Sequence, residues 1–159
     1  MTSGVHRIRL RGPWQYQPLS RIQQSADGTF AEQTDSLPPG GTITPPLDLG
    51  QTPLGRTYRG RVRYRRRFGR PAPIGPLELI YLVVPPLSSP AEIHLNGNLL
   101  GQVDPHAAAG RFNITTQLEV RNELWIDIVS PPDPTALAQD QASRDAHRVC
   151  LEIGLQTDR

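Results

Sequence analysis

The two tryptophans, Trp14 and Trp125, are the side chains whose shape best suits them to hold a ligand. The flat face of an indole matches the apolar C–H face of a pyranose ring. For Trp14 the competing reading is a packing role. Trp125 lies opposite Leu124 and Ile126 in an alternating run, so it points away from the core those two build. No catalytic constellation accompanies them. Asp104-x-His106 sets a carboxylate near an imidazole, but no third ligand stands in view for a metal, and no partner for acid–base work. His6, His94, His106 and His147 share no metal-ligand spacing. Gly40-Gly41 lies in a Pro-rich loop and opens no helix, so it is not a phosphate cradle. Cys150 is the only cysteine; in an apolar final strand it reads as a small buried hydrophobe. The sequence therefore predicts no catalytic residue, no metal, no cofactor and no enzymatic activity.

The basic residues carry the second chemical signal. All 17 are arginine, and eight of them fall between Arg56 and Arg70, interleaved with Tyr58, Tyr64 and Phe68. Such a run could pair phosphates and stack bases. Alternation explains it more simply. Val62, Tyr64 and Phe68 belong to one face of a strand, and Arg61, Arg63, Arg65 and Arg67 to the other, with Arg66 alone breaking the pattern. The formal net charge is only +2, so the rest of the chain balances the patch. A solvated or ion-paired sheet face is expected, and nucleic acid is disfavoured as a partner. If that face is solvated, replacing Arg63 and Arg65 together by serine should leave stability nearly unchanged.

The elements that position these residues are strands. At 159 residues the chain fits a single domain, 1–159, with enough length to bury a core. No apolar run approaches a membrane span, and the N-terminal residues lack the apolar stretch of a secretory leader, so a cytoplasmic location and no membrane partner are expected. Alternating or apolar runs fall at 5–11, 57–68, 77–84, 91–95, 99–101, 111–115, 123–130 and 149–155, with short strands near 29–32 and 42–44. The run at 77–84, LELIYLVV, reads as buried on both faces. Asn96-Gly97 between two strands is a hairpin signal, because both central residues of a type I′ turn need positive φ. One short helix, over 135–146, is allowed by Asp133 and Pro134 ahead of it. Many short strands between Pro- and Gly-rich turns predict an all-β antiparallel sandwich.

Five motifs in order then point to a family. They are Trp14-Gln15; the strand from Tyr58 through Tyr64-Arg65-Arg66-Arg67-Phe68; Leu95-Asn96-Gly97-Asn98-Leu99-Leu100-Gly101; Phe112-Asn113-Ile114-Thr115; and Asn122-Glu123-Leu124-Trp125-Ile126. Together they resemble the galactose-binding-like jelly-roll domain, most closely the N-terminal sugar-binding domain of glycoside hydrolase family 2, the β-galactosidase and β-glucuronidase type. The resemblance implies a jelly roll with at most one short helix, and an accessory domain standing alone without the catalytic barrel. It implies that the loop 102–110 faces a sugar. In that loop only Gln102, Asp104 and His106 offer polar contacts, around an Ala107-Ala108-Ala109 tip. The expected ligand-binding set is thus Trp14, Arg63, Gln102, Asp104, His106 and Trp125, with Asp104 accepting from hydroxyls and Arg63 donating. Two functions follow: a non-catalytic carbohydrate-binding module, or a structural or protein-interaction sandwich with a protein partner and no sugar.

Overall fold

Period-two alternation of apolar and polar side chains organises the core-forming segments, and burial alternates with it over 14–18, 60–64, 79–84, 91–95 and 121–126. The computed structural model describes residues 6–44, 53, 58–71, 75–85, 90–104, 109–130 and 149–155. Its strands are β1 (His6–Arg9), β2 (Trp14–Pro18), β3 (Arg21–Gln24), β4 (Phe30–Gln33), β5 (Gly41–Ile43) and β6 (Gly60–Gly69). They continue with β7 (Glu78–Val84), β8 (Ala91–Leu95), β9 (Asn98–Val103), β10 (Gly110–Asn113), β11 (Arg121–Ser130) and β12 (Cys150–Leu155). A six-stranded sheet runs β5-β2-β6-β11-β8-β9 and a four-stranded sheet runs β1-β12-β7-β10. All the strand pairs are antiparallel. This is the predicted all-β sandwich. The expected helix at 135–146 lies outside the described residues.

The core is the space between the two inward faces. Trp14, Tyr64, Leu124, Ile126, Ile93 and Leu95 face in from the large sheet, and Ile80, Leu82, Val84, Leu151 and Ile153 from the small one. Burying such side chains contributes roughly 1.5–3 kcal/mol each, which sets the register of every strand, since a one-residue slip would turn the whole apolar set outward.

Three expectations are corrected. β3 is paired with β4 as a separate hairpin, although its sequence Arg-Ile-Gln-Gln has no alternation that would mark it. β7 is fully buried on one face only: Leu79, Tyr81 and Val83 are half-buried on the outer face, where the Arg111 guanidinium covers Tyr81 at 4.6 Å. Cys150 is half-buried rather than in the core, because Leu151 and Ile153 take the inward positions of β12. Its burial, with Glu152 nearby, pushes the thiol pKa up.

The hairpin signal is realised. Asn96 has φ 53° and Gly97 φ 85°, and β8 pairs with β9 across them. Asn96 does more than turn the chain. Its Oδ1 accepts from the Glu123 backbone N–H at 2.8 Å, and its Nδ2 donates to Asn122 Oδ1 at 3.0 Å. Asn122, itself buried, accepts from the Glu119 N–H at 2.8 Å and donates to the Glu119 carbonyl at 3.0 Å. These two amides fasten the β8–β9 turn to the start of β11, the strand that carries Trp125.

Candidate functional site

The outward face of the six-stranded sheet gathers the chemistry that alternation keeps out of the core. Strand register aligns it in two neighbouring rows. One row crosses Gln17, Arg63, Asp127, Glu92 and Gln102, on β2, β6, β11, β8 and β9. The other crosses Thr42, Gln15, Arg65, Trp125, His94 and Leu99, and reaches all six strands. Cross-strand neighbours on one face lie close enough to interact directly, and they do.

Arg63 is the hinge between the rows. Its Nε donates to Asp127 Oδ1 and its NH2 to Oδ2, both at 2.9 Å. Its guanidinium also lies 4.0 Å from the centroid of the Trp125 ring. Asp127 is only 4% exposed and Arg63 27%. A bidentate pair of this kind is short, oriented and poorly hydrated. The hydrogen bonds to Asp127 push the Arg63 pKa further up. The indole of Trp125 is tethered too: its Nε1 donates to Glu123 Oε1 at 2.5 Å, and Arg67 donates to the other oxygen of that carboxylate at 3.1 Å. Burial alone would raise the Glu123 pKa, but the bonds from Trp125 and Arg67 outweigh it and hold the carboxyl below its ordinary value. His94 stands on the other flank, its ring 6.0 Å from that of Trp125 and tilted by 51°. His94 Nε2 lies 3.6 Å from Glu92 Oε1, and Gln102 Nε2 donates to Glu92 Oε2 at 3.5 Å. Along the second row Arg65 donates twice to Gln15 Oε1, at 3.2 and 2.6 Å.

The structure thus brings together Arg63, Trp125 and Gln102 of the six expected residues. Trp14 is elsewhere: it is fully buried, its Nε1 donating to the Leu10 carbonyl at 2.9 Å, so its ring is a packing element and presents no face to a ligand. Asp104 is exposed just beyond β9. His106 lies outside the described residues. Of the two forms expected for the arginine face, solvated or ion-paired, these two positions take the ion-paired one: Arg63 holds the buried carboxylate of Asp127 and Arg67 holds Glu123. Glu92, His94, Glu123 and Asp127 join the site without having been singled out. The signal for two of them is in the sequence: Glu92-Ile93-His94 has the same carboxylate-x-imidazole spacing as Asp104-x-His106.

Glu92, His94 and Asp127 each offer a ligand atom within 4.8 Å of the others. The guanidinium of Arg63 already holds both Asp127 oxygens, placing a positive charge where a cation would have to approach. The arrangement is a paired polar surface built around one aromatic ring. Its chemical competence is to exchange hydrogen bonds with hydroxyl groups through imidazole, amide and guanidinium.

No protein-family model and no curated protein matches the chain. Solved structures do. A β-glucuronidase from Bifidobacterium dentium, complexed with coumarin-3-O-glucuronide, superposes with a TM-score of 0.67 at 16% identity, covering 98% of this chain and 31% of its own. The β-glucuronidase of Dictyoglomus thermophilum gives 0.64 at 16% identity, covering 98% and 29%. A rhamnosidase from Novosphingobium sp. PP1Y gives 0.56 at 20% identity, covering 83% and 12%. The chain spans less than a third of the length of these enzymes. Its sandwich has the fold of one part of a β-glucuronidase, as the sequence motifs imply.

Proposed function

We propose that this chain is a non-catalytic, carbohydrate-binding accessory domain whose sugar-contacting surface is the outward face of the six-stranded sheet. The observation that carries the reading is Trp125, half-buried on the outward face and held between Arg63 and His94 amid amide and carboxylate groups. An oriented aromatic ring ringed by two-way hydrogen-bonding groups is what a polyol with an apolar C–H face needs. The solved structures of the same fold, β-glucuronidases and a rhamnosidase, act on sugars. Non-catalytic use is supported by the state of the carboxylates. Glu92 and Asp127 are within 4.8 Å of each other, near the separation of a retaining glycosidase pair. Yet Asp127 is 4% exposed with both oxygens hydrogen-bonded to Arg63, so it has no access to an anomeric carbon.

Titration calorimetry of the whole chain against galactosides, glucuronides and mannosides tests the reading. A shallow surface should give dissociation constants in the roughly micromolar-to-millimolar range, and Trp125→Ala should abolish the heat while the melting transition stays cooperative. No heat from any glycoside up to about 10 mM would shift the function to a protein-interaction sandwich. That second reading draws on the half-buried apolar strip of Leu79, Tyr81 and Val83 on the opposite sheet, bordered by Arg7, Arg9 and Arg111.

A further inference from the structure

The outward face of the four-stranded sheet is built differently from that of the large one. Alternation in β7 puts Leu79, Tyr81 and Val83 on it, all half-buried, where a solvated sheet face carries polar side chains. We propose that this face docks a short acidic segment of a partner protein, whose carboxylates meet Arg7, Arg9 and Arg111 and whose apolar side chains cover Leu79 and Val83. The proposal concerns the sheet opposite Trp125 and stands independently of the carbohydrate-binding reading.

The first observation is charge. The outward positions of the four strands hold three arginines, Arg7 and Arg9 on β1 and Arg111 on β10, against one carboxylate, Glu152 on β12. Glu152 is shared: Arg7 Nε donates to its Oε2 at 3.1 Å, and Arg111 NH2 stands 3.1 Å from its Oε1. Arg9 has no ion pair among the described residues. The acceptor is covered and the donors are open: the Glu152 side chain is 14% exposed, those of Arg7 and Arg111 69% and 57%. A guanidinium carries five N–H donors in a planar fork, so each of these can take a further carboxylate from the solvent side. The surplus of cation over anion is what an acidic partner offsets.

The second observation is where those charges stand. Arg7 and Arg9 lie on one edge strand and Arg111 on the other, with the apolar side chains of β7 between them. An apolar centre inside an arginine-bearing rim is the anatomy of a protein–protein contact. A free phosphate would leave that centre wet. A nucleic acid would need an open ring for stacking, and the one aromatic side chain at the described outward positions, Tyr81, has Arg111 over its ring at 4.6 Å. Three strand spacings make about 14 Å, room for one helix or extended segment, about 10–12 Å across, rather than a whole globular surface.

The test is fluorescence anisotropy of the full chain with three short labelled peptides: glutamate alternating with leucine, lysine alternating with leucine, and glutamate alternating with serine. The expected result is binding of the glutamate–leucine peptide in the roughly micromolar-to-millimolar range, weakened by added salt. The lysine–leucine peptide should stay free, and the glutamate–serine peptide should bind about tenfold or more weakly. Arg9→Ser and Arg111→Ser should each weaken the glutamate–leucine peptide by about fivefold or more, and Leu79→Ser should narrow the gap between the two glutamate peptides. Arg61→Ser, on the large sheet, should leave peptide binding where it is, and Arg9→Ser should leave glycoside titrations unchanged. No glutamate–leucine binding up to about 10 mM, or equal binding of the lysine peptide, would overturn the proposal whatever the glycosides do. Equal binding of both glutamate peptides would overturn the apolar contact and with it the protein partner. Uptake of the chain by vesicles of anionic phospholipid, lost in Arg9→Ser while the peptide stays free, would give the face to a membrane surface instead.

Discussion

At the scale of single residues, the face around Trp125 is defined by which charges have partners. Arg63 and Arg67 stand four residues apart on one face of one strand, yet they differ in kind. Arg63 covers a carboxylate that is 4% exposed, whereas Arg67 is 77% exposed against a Glu123 that is 28% exposed. Removing Arg63 strands a buried anion, which is far costlier than losing a surface pair. With part of the guanidinium open to water, Arg63→Ser is expected to destabilise by about 2 kcal/mol, and Arg67→Ser by about 0.5 kcal/mol or less. Denaturant melts of the two variants check this, and equal losses would show that the Asp127 pair has no special weight. Glu123 adds a pH dependence. Its carboxyl titrates below its ordinary value of 4.5 in the folded chain. A carboxyl depressed on folding stabilises the native state above its unfolded pKa, and that contribution is lost as the pH falls through the folded value. Wild type should therefore lose its stability advantage over Glu123→Gln as the pH drops below about 4.5. Trp125 fluorescence should shift over the same range in wild type only, because the indole N–H loses its anionic acceptor. An advantage that stays constant however far the pH falls below the ordinary carboxyl value would contradict the assignment.

At the scale of elements, two glycines test how the strands are joined. Gly97 has φ 85° with nothing within 4 Å of where a Cβ would stand, so a side chain there suffers backbone strain without a clash. Gly60, at the start of β6, has φ 143°, and a Cβ would stand 2.2 Å from the Ser20 carbonyl oxygen. Gly97→Val should cost roughly 1–3 kcal/mol. Gly60→Ala should cost more, because strain and a backbone collision add, and β6 is the strand that carries Arg63. Thermal melts would rank the two, and a milder Gly60→Ala would mean that the approach of β6 to Ser20 yields easily. The five motifs behind the family resemblance largely belong to this level. Trp14 packs the core, Asn96, Gly97 and Asn122 fasten the corner, and Thr115 Oγ1 accepts from the Ile80 N–H at 2.9 Å. They are joinery, so they report the fold well and the ligand poorly.

At the scale of the whole molecule, two sheets divide the labour. The space between them supplies cohesion. The large sheet displays an aromatic and polar face, and the small one a half-buried apolar strip bordered by arginines. The chain should show no turnover of chromogenic galactosides, glucuronides or mannosides, since Asp127 of the Glu92–Asp127 pair is locked by Arg63. Cleavage that survives stringent purification and disappears in Asp127→Asn would reverse that conclusion.

What the sequence determined by itself was local and periodic. The alternation in β2, β6, β8, β11 and β12, the Asn-Gly turn, the outward direction of Trp125 and of Arg61, Arg63, Arg65 and Arg67 all follow from side chains that alternate across a strand. The fold followed, because five corner and core motifs come in one order. Only the tertiary structure decided which outward residues meet. Register across β2, β6, β11, β8 and β9 joins positions as far apart as Gln17 and Gln102, and no spacing within one strand encodes it. That register decided between a solvated and an ion-paired Arg63 by setting it opposite Asp127. It brought Glu92 and His94 beside Trp125 because antiparallel pairing places them one strand away. Long-range pairing is set by the packing of the whole apolar face, so a site assembled from five strands becomes visible only when the sheet has closed over its core.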